Sequence, residues 1–398
     1  MDLAFTAAEH AFRAEVRAFI DAELDPAVRR KLAEHRALGK AEIVAWQRRL
    51  HARGWATPSW PQAHGGPGWS AVQRYIFLDE LHQAPAPEPL SFNVNMIGPV
   101  LIAFGTPAQQ ERLLPRIASL DDWWAQGFSE PGAGSDLASL KTRAVPSKSG
   151  HEYIVSGQKM WQGMAQHADW MFTLVRTDAA AARPQAGISM LLIDMRAKGV
   201  EVRPIATIDG RHEVNEVFLD EVRVPVAQRV GEENRGWEIA KFLLGHERTG
   251  IARIGMTKRL IARAKALAAE SAVEGGMPAD GPRFRERAAA IEIELKALEI
   301  LQLRLLDEAG RAEPGRHGPD VRASILKVKG TELRQAASEL LLHAAGARAW
   351  RRPDDEFDAA ADADTTIAST YFTLRAASIY GGSNEVQKNI LAKVALGL

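Results

Sequence analysis

Apolar positions change their period twice along this chain. Near the start, Phe12, Val16, Phe19 and Ile20 fall on one helical face behind Thr6 and Glu9, which read as a capping box. That spacing predicts an opening amphipathic helix. Helical spacing continues over residues 43–50, 71–81, 99–104 and 107–117. From about Gly127 the apolar runs become short, β-branched or aromatic, and bounded by Gly, Pro and Asp, so 153–155, 170–175, 188–193 and 216–220 predict strands. Beyond Gly236 long helical segments return, at 237–244 running into 247–268, then at 284–311, 321–342 and 365–378. Helices, then strands, then helices predict an α+β protein. Its expected parts are an N-terminal α-helical domain at 1–125, a middle β-domain at 126–232 and a C-terminal α-helical bundle at 233–398.

Composition narrows the chemistry more than the fold. The 398 residues, 46% of them hydrophobic, suffice for two or three packed units. Lys plus Arg number 50 against 50 Asp plus Glu, so no global field points to nucleic acid or an anionic membrane as partner. The lack of cysteine excludes disulfides, thiolate chemistry and Cys-ligated metals, and fits a reducing compartment. Asp2 and Glu9 interrupt any signal-like start, and no apolar run approaches the roughly 18 residues of a spanning helix. The expectation is a soluble, cytoplasmic protein. The acidic stretch 353–364 lacks the spaced ligands and interior glycine of a calcium loop. It reads as a solvated connection, and no metal site is expected.

The stretch richest in chemistry runs Gly127-Phe128-Ser129-Glu130-Pro131-Gly132-Ala133-Gly134-Ser135-Asp136, behind Trp123 and Trp124. Glycine lets backbone N–H groups approach an anion or a ring edge with no Cβ in the way, and Ser129 and Ser135 each carry a hydroxyl donor. Taken alone, the segment also reads as a Pro-Gly surface turn. It closely resembles the signature of the acyl-CoA dehydrogenase family, however, and further family marks follow along nearly the whole chain. They are Trp55-Ala-Thr-Pro-Ser-Trp60-Pro61 with Gly65-Gly66, Gly105-Thr106-Pro-Ala-Gln-Gln-Glu-Arg-Leu-Leu-Pro115, Gly157-Gln158-Lys159-Met160-Trp161, and Ile379-Tyr380-Gly381-Gly382-Ser383-Asn384. The resemblance implies an acyl-CoA dehydrogenase-like fold and a flavoprotein that converts an acyl-CoA to its 2-enoyl-CoA.

Removing hydrogens from Cα and Cβ of a thioester needs a carboxylate for the α-proton, donors for the developing enolate oxygen and a hydride acceptor. No side chain accepts a hydride reversibly, so the acceptor is a cofactor. The resemblance makes it FAD, held by Phe128, Ser129, Gly134, Ser135, Trp161, Gly163, Ser383 and Asn384. It sets Ser129 on the pyrimidine edge of the flavin and Trp161 beside the ring system. It sets Ser135, Arg248, Tyr380 and Gly381 around the substrate, with a Gly381 N–H on the thioester oxygen. Electron-transfer flavoprotein is the implied electron acceptor.

Many family members carry the base in a Tyr-Glu-Gly-Thr segment where this chain has Tyr380-Gly381-Gly382-Ser383, and glycine offers no proton acceptor. A smaller branch places the base in a Glu-Arg pair on the helix after the β-domain. At that place stands Leu243-Leu244-Gly245-His246-Glu247-Arg248, which makes Glu247 the candidate base. Most helix glutamates are solvated. Here the apolar lead-in of Phe242, Leu243 and Leu244 would partly desolvate Glu247 and raise its proton affinity. His246 points about 100° away on the helix and reads as structural.

Two further departures bear on assembly. The family's homotetramers reach a neighbour's FAD through an Arg-x-x-Phe-Gly segment and a Gly-Gly-x-Gly turn, whereas this chain has altered stretches at 274–285 and 342–350. The pattern resembles catalytic subunits of heteromeric family members, which implies a hetero-oligomer with a paralogous subunit. A homodimer or homotetramer is the alternative if Arg283, Arg285 or Arg348 reaches across. Gly163 stands where the family commonly has a hydroxyl for flavin N5. Competing readings of the same fold are a flavin monooxygenase or nitroalkane-oxidase-like enzyme, or a non-catalytic subunit. The acyl pocket is expected to depend on residues 90–101 and those around Phe242.

Overall fold

A computed structural model describes residues 4–246, 252–270, 276–311, 321–351 and 363–398. The predicted opening helix is α1 (Ala7–Glu23), and its capping box forms: Thr6 Oγ1 accepts from Glu9 N at 3.2 Å while Glu9 Oε2 accepts from Thr6 N at 2.7 Å. It is followed by α2 (Pro26–Ala33), α3 (Lys40–Ala52), α4 (Ala71–Gln83), α5 (Gly98–Phe104) and α6 (Pro107–Ser119). A π-helical run, Phe92–Ile97, leads into α5, the kind of local widening often found beside functional sites. Phe12, Val16 and Ile20 of α1 pack with Trp46, Trp55 and Phe77 in the first helical core.

The middle of the chain forms one eight-stranded sheet of β1 (Trp124–Gly127), β2 (Arg143–Pro146), β3 (Glu152–Gly163), β4 (Trp170–Arg176), β5 (Ile188–Asp194), β6 (Val200–Ile205), β7 (Val214–Pro225) and β8 (Arg229–Val230). The order is β6-β7-β3-β2-β4-β5-β8, with β1 parallel to β4. Gly127 is required there, since a Cβ would stand 2.6 Å from Thr173 Oγ1. Phe172, Leu174, Met190 and Leu192 pack one side of the sheet on α5, α6 and the next helix, α7 (Gly236–His246). The C-terminal helices are α8 (Ile254–Ala269), α9 (Pro282–Arg311), α10 (Arg322–Ala345), α11 (Ile367–Arg375) and α12 (Asn384–Ala395).

Short β1, β2 and β8, together with β6, α2 and α12, escape the periodicity reading. The expected helix at 247–268 needs correction. Ala252 and Arg253 lie outside any helix, and Arg253 has φ 51°, a left-handed conformation that a right-handed helix does not continue through. Residues 247–251 lie outside the described residues. Of the acidic stretch, Asp364 is no solvated residue but is buried in an ion pair with Arg348, while 353–362 lie outside the described residues. Among the described residues no helix is long and apolar enough to cross a membrane.

Candidate active site

After Gly127 the chain leaves the sheet and is tied back to it at once. Ser129 O accepts from Met160 N of β3 at 2.9 Å. Glu130 and Ala133 then exchange backbone hydrogen bonds of 3.0 and 3.1 Å, closing the Pro131-Gly132 turn. The Glu130 carboxylate accepts from Lys141 N at 2.6 Å, from Thr142 N at 2.9 Å and from Lys159 Nζ at 2.8 Å. Lys159 is fully buried and donates to Phe128 O and Leu174 O as well. Burial pulls this ammonium down to about 8 although Glu130 opposes the shift. Burial acts to raise Glu130, but Lys159 and the loop donors outweigh it and hold its carboxyl below the usual range. The pair satisfies every backbone group it touches and so fixes the loop as a ledge on β3.

Trp161 stands on that ledge. The β3–β7 register slips between Met160 and Gln162, and Trp161 sits in the bulge with φ 68°, the residue 54% exposed. A left-handed tryptophan is an uncommon, strained conformation of the sort that collects at ligand clamps, and a bulge re-aims the side chain it carries. Phe128 is buried edge-on against Phe172, with ring centroids 5.8 Å apart, so only its backbone can reach a ligand. Gly134 and Ser135 are exposed. A Cβ at Gly132 or Gly134 would meet nothing within 4 Å, so no neighbour in the fold demands glycine there. At Gly163 the opposite holds: a Cβ would lie 2.8 Å from the Phe92 ring. Any side chain there, a hydroxyl-bearing one included, would meet the Phe92 ring as it stands. An open aromatic face, a half-buried hydroxyl at Ser129 and an uncrowded glycine turn along one edge fit a flat, polar-edged ring system such as a flavin.

The second expected part is the turn after α11. Ile379 and Tyr380 are exposed, Gly381 and Gly382 have φ 66° and 79°, and Ser383 caps α12 by accepting from Val386 N at 3.3 Å. Asn384 turns inward, its Oδ1 accepting from Lys327 Nζ at 2.9 Å and Thr331 Oγ1 at 3.1 Å. Lys327 also donates to Ser378 O at 3.2 Å, so one ammonium joins both ends of the turn. The left-handed φ of Gly381 disfavours any residue with a side chain, a carboxylate included. Glu247 and Arg248 lie outside the described residues, as does the His246 side chain.

A cavity of about 410 Å³ opens beside these parts: its lining reaches Met164, just past β3, and Arg334, which contacts Tyr380, but includes none of Ser129, Trp161, Gly163, Tyr380, Gly381 or Ser383. Leu38, Leu90, Met256, Leu260 and Leu374 give it apolar walls; Arg36, Glu88, Arg211, Glu213, Arg253, Arg259 and Arg334 give it charge, with His82 beside Glu88. Burial would raise Glu88, but Arg253 and the His82 ring nitrogen 2.7 Å away overcome it and hold the carboxyl down at about 2. Arg334 is 4% exposed, and its Nη2 lies 3.5 Å from the Tyr380 hydroxyl. Leu90 and Ser91, from the segment expected to shape the acyl pocket, line this cavity, whereas Phe242 packs edge-on against Phe104, 5.2 Å between centroids. Sequence reasoning missed Lys159 as the partner of Glu130 and the arginine lining altogether. A lysine at an inward position of a strand was the one available signal for the former. Arg348 pairs within the chain with Asp364 at 2.6 Å and Glu270 at 2.9 Å; Arg283 and Arg285 stand exposed beside buried Phe284. Among the described residues no group of His, Cys, Asp or Glu is placed to hold a metal ion.

Comparison with known proteins yields three family models in series: acyl-CoA dehydrogenase N-terminal domain over residues 6–121, middle domain over 125–222 and C-terminal domain over 234–396. Acyl-CoA dehydrogenase IpdE1 of Mycobacterium tuberculosis (strain ATCC 25618 / H37Rv) is 37% identical over 369 residues, covering 92% of this chain and 90% of its own. Acyl-CoA dehydrogenase FadE26 of the same organism is 33% identical over 406 residues, 100% of this chain and 99% of its own. Among solved structures, the Tcur3481-Tcur3483 steroid ACAD superposes with a TM-score of 0.86 at 33% identity, covering 100% of this chain and 99% of that one. The ChsE4-ChsE5 complex from Mycobacterium tuberculosis gives 0.82 at 32%, with the same coverage.

Proposed function

The chain belongs to the acyl-CoA dehydrogenase family of flavoprotein oxidoreductases, and from that premise we propose that it converts an acyl-CoA thioester to the 2-enoyl-CoA with FAD as its cofactor. The observation that carries this reading is Trp161, strained, bulged and exposed beside Ser129 on a ledge locked by the Glu130–Lys159 pair. Phe128 through its backbone, together with Ser129, Gly134, Ser135, Trp161, Gly163 and Ser383, would hold FAD, and Asn384 would fix the turn from below. When bound, FAD supplies the hydride acceptor for Cβ.

The protein's own part is proton transfer, charge stabilisation and orientation. Glu247 takes the α-proton. The N–H of Gly381 donates to the thioester oxygen as enolate charge develops there. Arg248, Ser135 and Tyr380 orient the ester. Two facts support Glu247 over other carboxylates: Gly381 has neither a side chain nor a backbone suited to one, and Glu88 is held ionised at about 2, too weak a base for an α-proton. The similar Tcur3481-Tcur3483 steroid ACAD and ChsE4-ChsE5 complex, each of two components, support assembly with a paralogous subunit, in place of a homodimer or homotetramer. Electron-transfer flavoprotein as acceptor and a cytoplasmic location complete the proposal.

The test is anaerobic mixing of the co-expressed, FAD-loaded protein with a panel of acyl-CoAs while the flavin band is followed. Glu247→Gln is expected to keep FAD and lose about two to four orders of magnitude in the rate of bleaching. Retention of more than about a tenth of the rate, on that scale, removes Glu247 from the role. Bleaching only by a reduced nicotinamide or a nitroalkane would overturn the dehydrogenase reading. One tightly held FAD per chain and full turnover in a homotetramer expressed alone would overturn the paralogous partner.

A further inference from the structure

We propose that the cavity selects acyl groups carrying a negative charge of their own, and that Arg259 and Arg334 bind that charge. The substrate class is then the CoA monoester of an acid with a second carboxylate, which rests on the acyl-CoA reading above. Arg259 and Arg334 both line the cavity, from the neighbouring helices α8 and α10. Each has a buried Nε with no hydrogen-bond partner. The contacts they do make are long: Arg259 Nη1 to His82 O at 3.4 Å and Arg334 Nη2 to the Tyr380 hydroxyl at 3.5 Å.

Among the described residues neither arginine has a carboxylate within salt-bridge distance. Glu88, the nearest acid by its influence on both, is already shared by Arg253 and His82. A buried cation left without an anion is costly, and folded proteins rarely keep one without use. A guanidinium's fork of donors matches a carboxylate, and two of them lining one cavity would fix its position. Leu38, Leu90, Met256, Leu260 and Leu374 offer an apolar wall to a hydrocarbon body, within a lining that also carries Arg36, Glu88, Arg211, Glu213 and Arg253. Its volume of about 410 Å³ falls within the size of a small-molecule pocket.

The experiment measures equilibrium binding by anaerobic calorimetry to the FAD-loaded, co-expressed Glu247→Gln enzyme, in which flavin reduction is slow, and flavin bleaching by the same esters is followed separately in the unaltered enzyme. Probes are straight-chain CoA esters of about four to ten carbons in three matched forms: plain alkyl, ω-carboxylate, and the methyl ester of that carboxylate. The carboxylate form is expected to bind about tenfold tighter than the alkyl form at the best-fitting length, and the methyl ester to follow the alkyl form. Arg334→Met and Arg259→Met should each erase most of that preference while leaving alkyl-ester binding in place, and Arg334→Lys should restore part of it. No preference at any length, a methyl ester as tight as the acid, or variants that weaken all three forms equally would each overturn the proposal. A carboxylate preference without flavin bleaching by any ester would leave this inference standing and remove the dehydrogenase reading. Bleaching by alkyl esters with no carboxylate preference would do the reverse.

Discussion

The ledge under Trp161 and the wall of the cavity both bury charge, and they do it in opposite ways. On the ledge Lys159 meets Glu130 at 2.8 Å, and four further protein groups complete their hydrogen bonds. Along the cavity Arg259 and Arg334 keep an unpartnered Nε apiece. A closed network rigidifies what it touches, here the loop that carries Ser129. An open one stores an unmet demand that a ligand can satisfy. The difference teaches that burial of a charge does not by itself mark a site; the state of its hydrogen bonds does.

The sharpest way to break the comparison is Glu130→Ala, which strands Lys159 in the core. It should destabilise the fold by about 3–5 kcal/mol in urea unfolding, and adding Lys159→Met should recover much of that loss. A loss no larger than that of an ordinary surface substitution would show that the ledge is not built on this pair.

Acid titration probes both kinds of network together. Glu88 in the cavity wall and Glu299 in a closed cluster with Tyr75, Lys258 and Lys296 are each held at about 2 from an ordinary 4.5, cations outweighing burial in both cases. Their folded-state values are depressed, so the stability they contribute is present above about pH 4.5 and lost as pH falls toward 2. Each should account for about 2–3 kcal/mol across that window. Glu299→Gln should flatten the pH dependence of urea unfolding there without changing its sign.

Gly163→Thr asks whether the missing hydroxyl can be restored. The collision with Phe92 should cost about 1–3 kcal/mol in thermal unfolding, and Phe92→Ala in the same chain should relieve it. The smallest effect is expected at Arg334→Met. With no ion pair to break among the described residues, unfolding free energy should change by less than about 1 kcal/mol or rise, opposite in sense to Glu130→Ala. A loss of several kcal/mol would mean that Arg334 already has its partner.

Much of this protein was legible in its sequence because local rules act locally. The Thr6–Glu9 cap, the helical spacing of Phe12, Val16 and Ile20, and the apolar runs of β4 and β5 each depend on neighbours a few residues away. The loop at Gly127 to Asp136 and the turn at Tyr380 to Ser383 were singled out by residue type alone. What the sequence left undetermined depends on contacts between distant positions. Glu130 and Lys159 are 29 residues apart and pair only because β1 and β3 share a sheet. The glycine at 163 makes sense only against the Phe92 ring, and the break at Arg253 only from a backbone angle. Arg259 and Arg334 look like ordinary surface arginines in their helices, and the packing of α8 on α10 alone turned them inward together, since a helix face acquires its environment from the element laid against it.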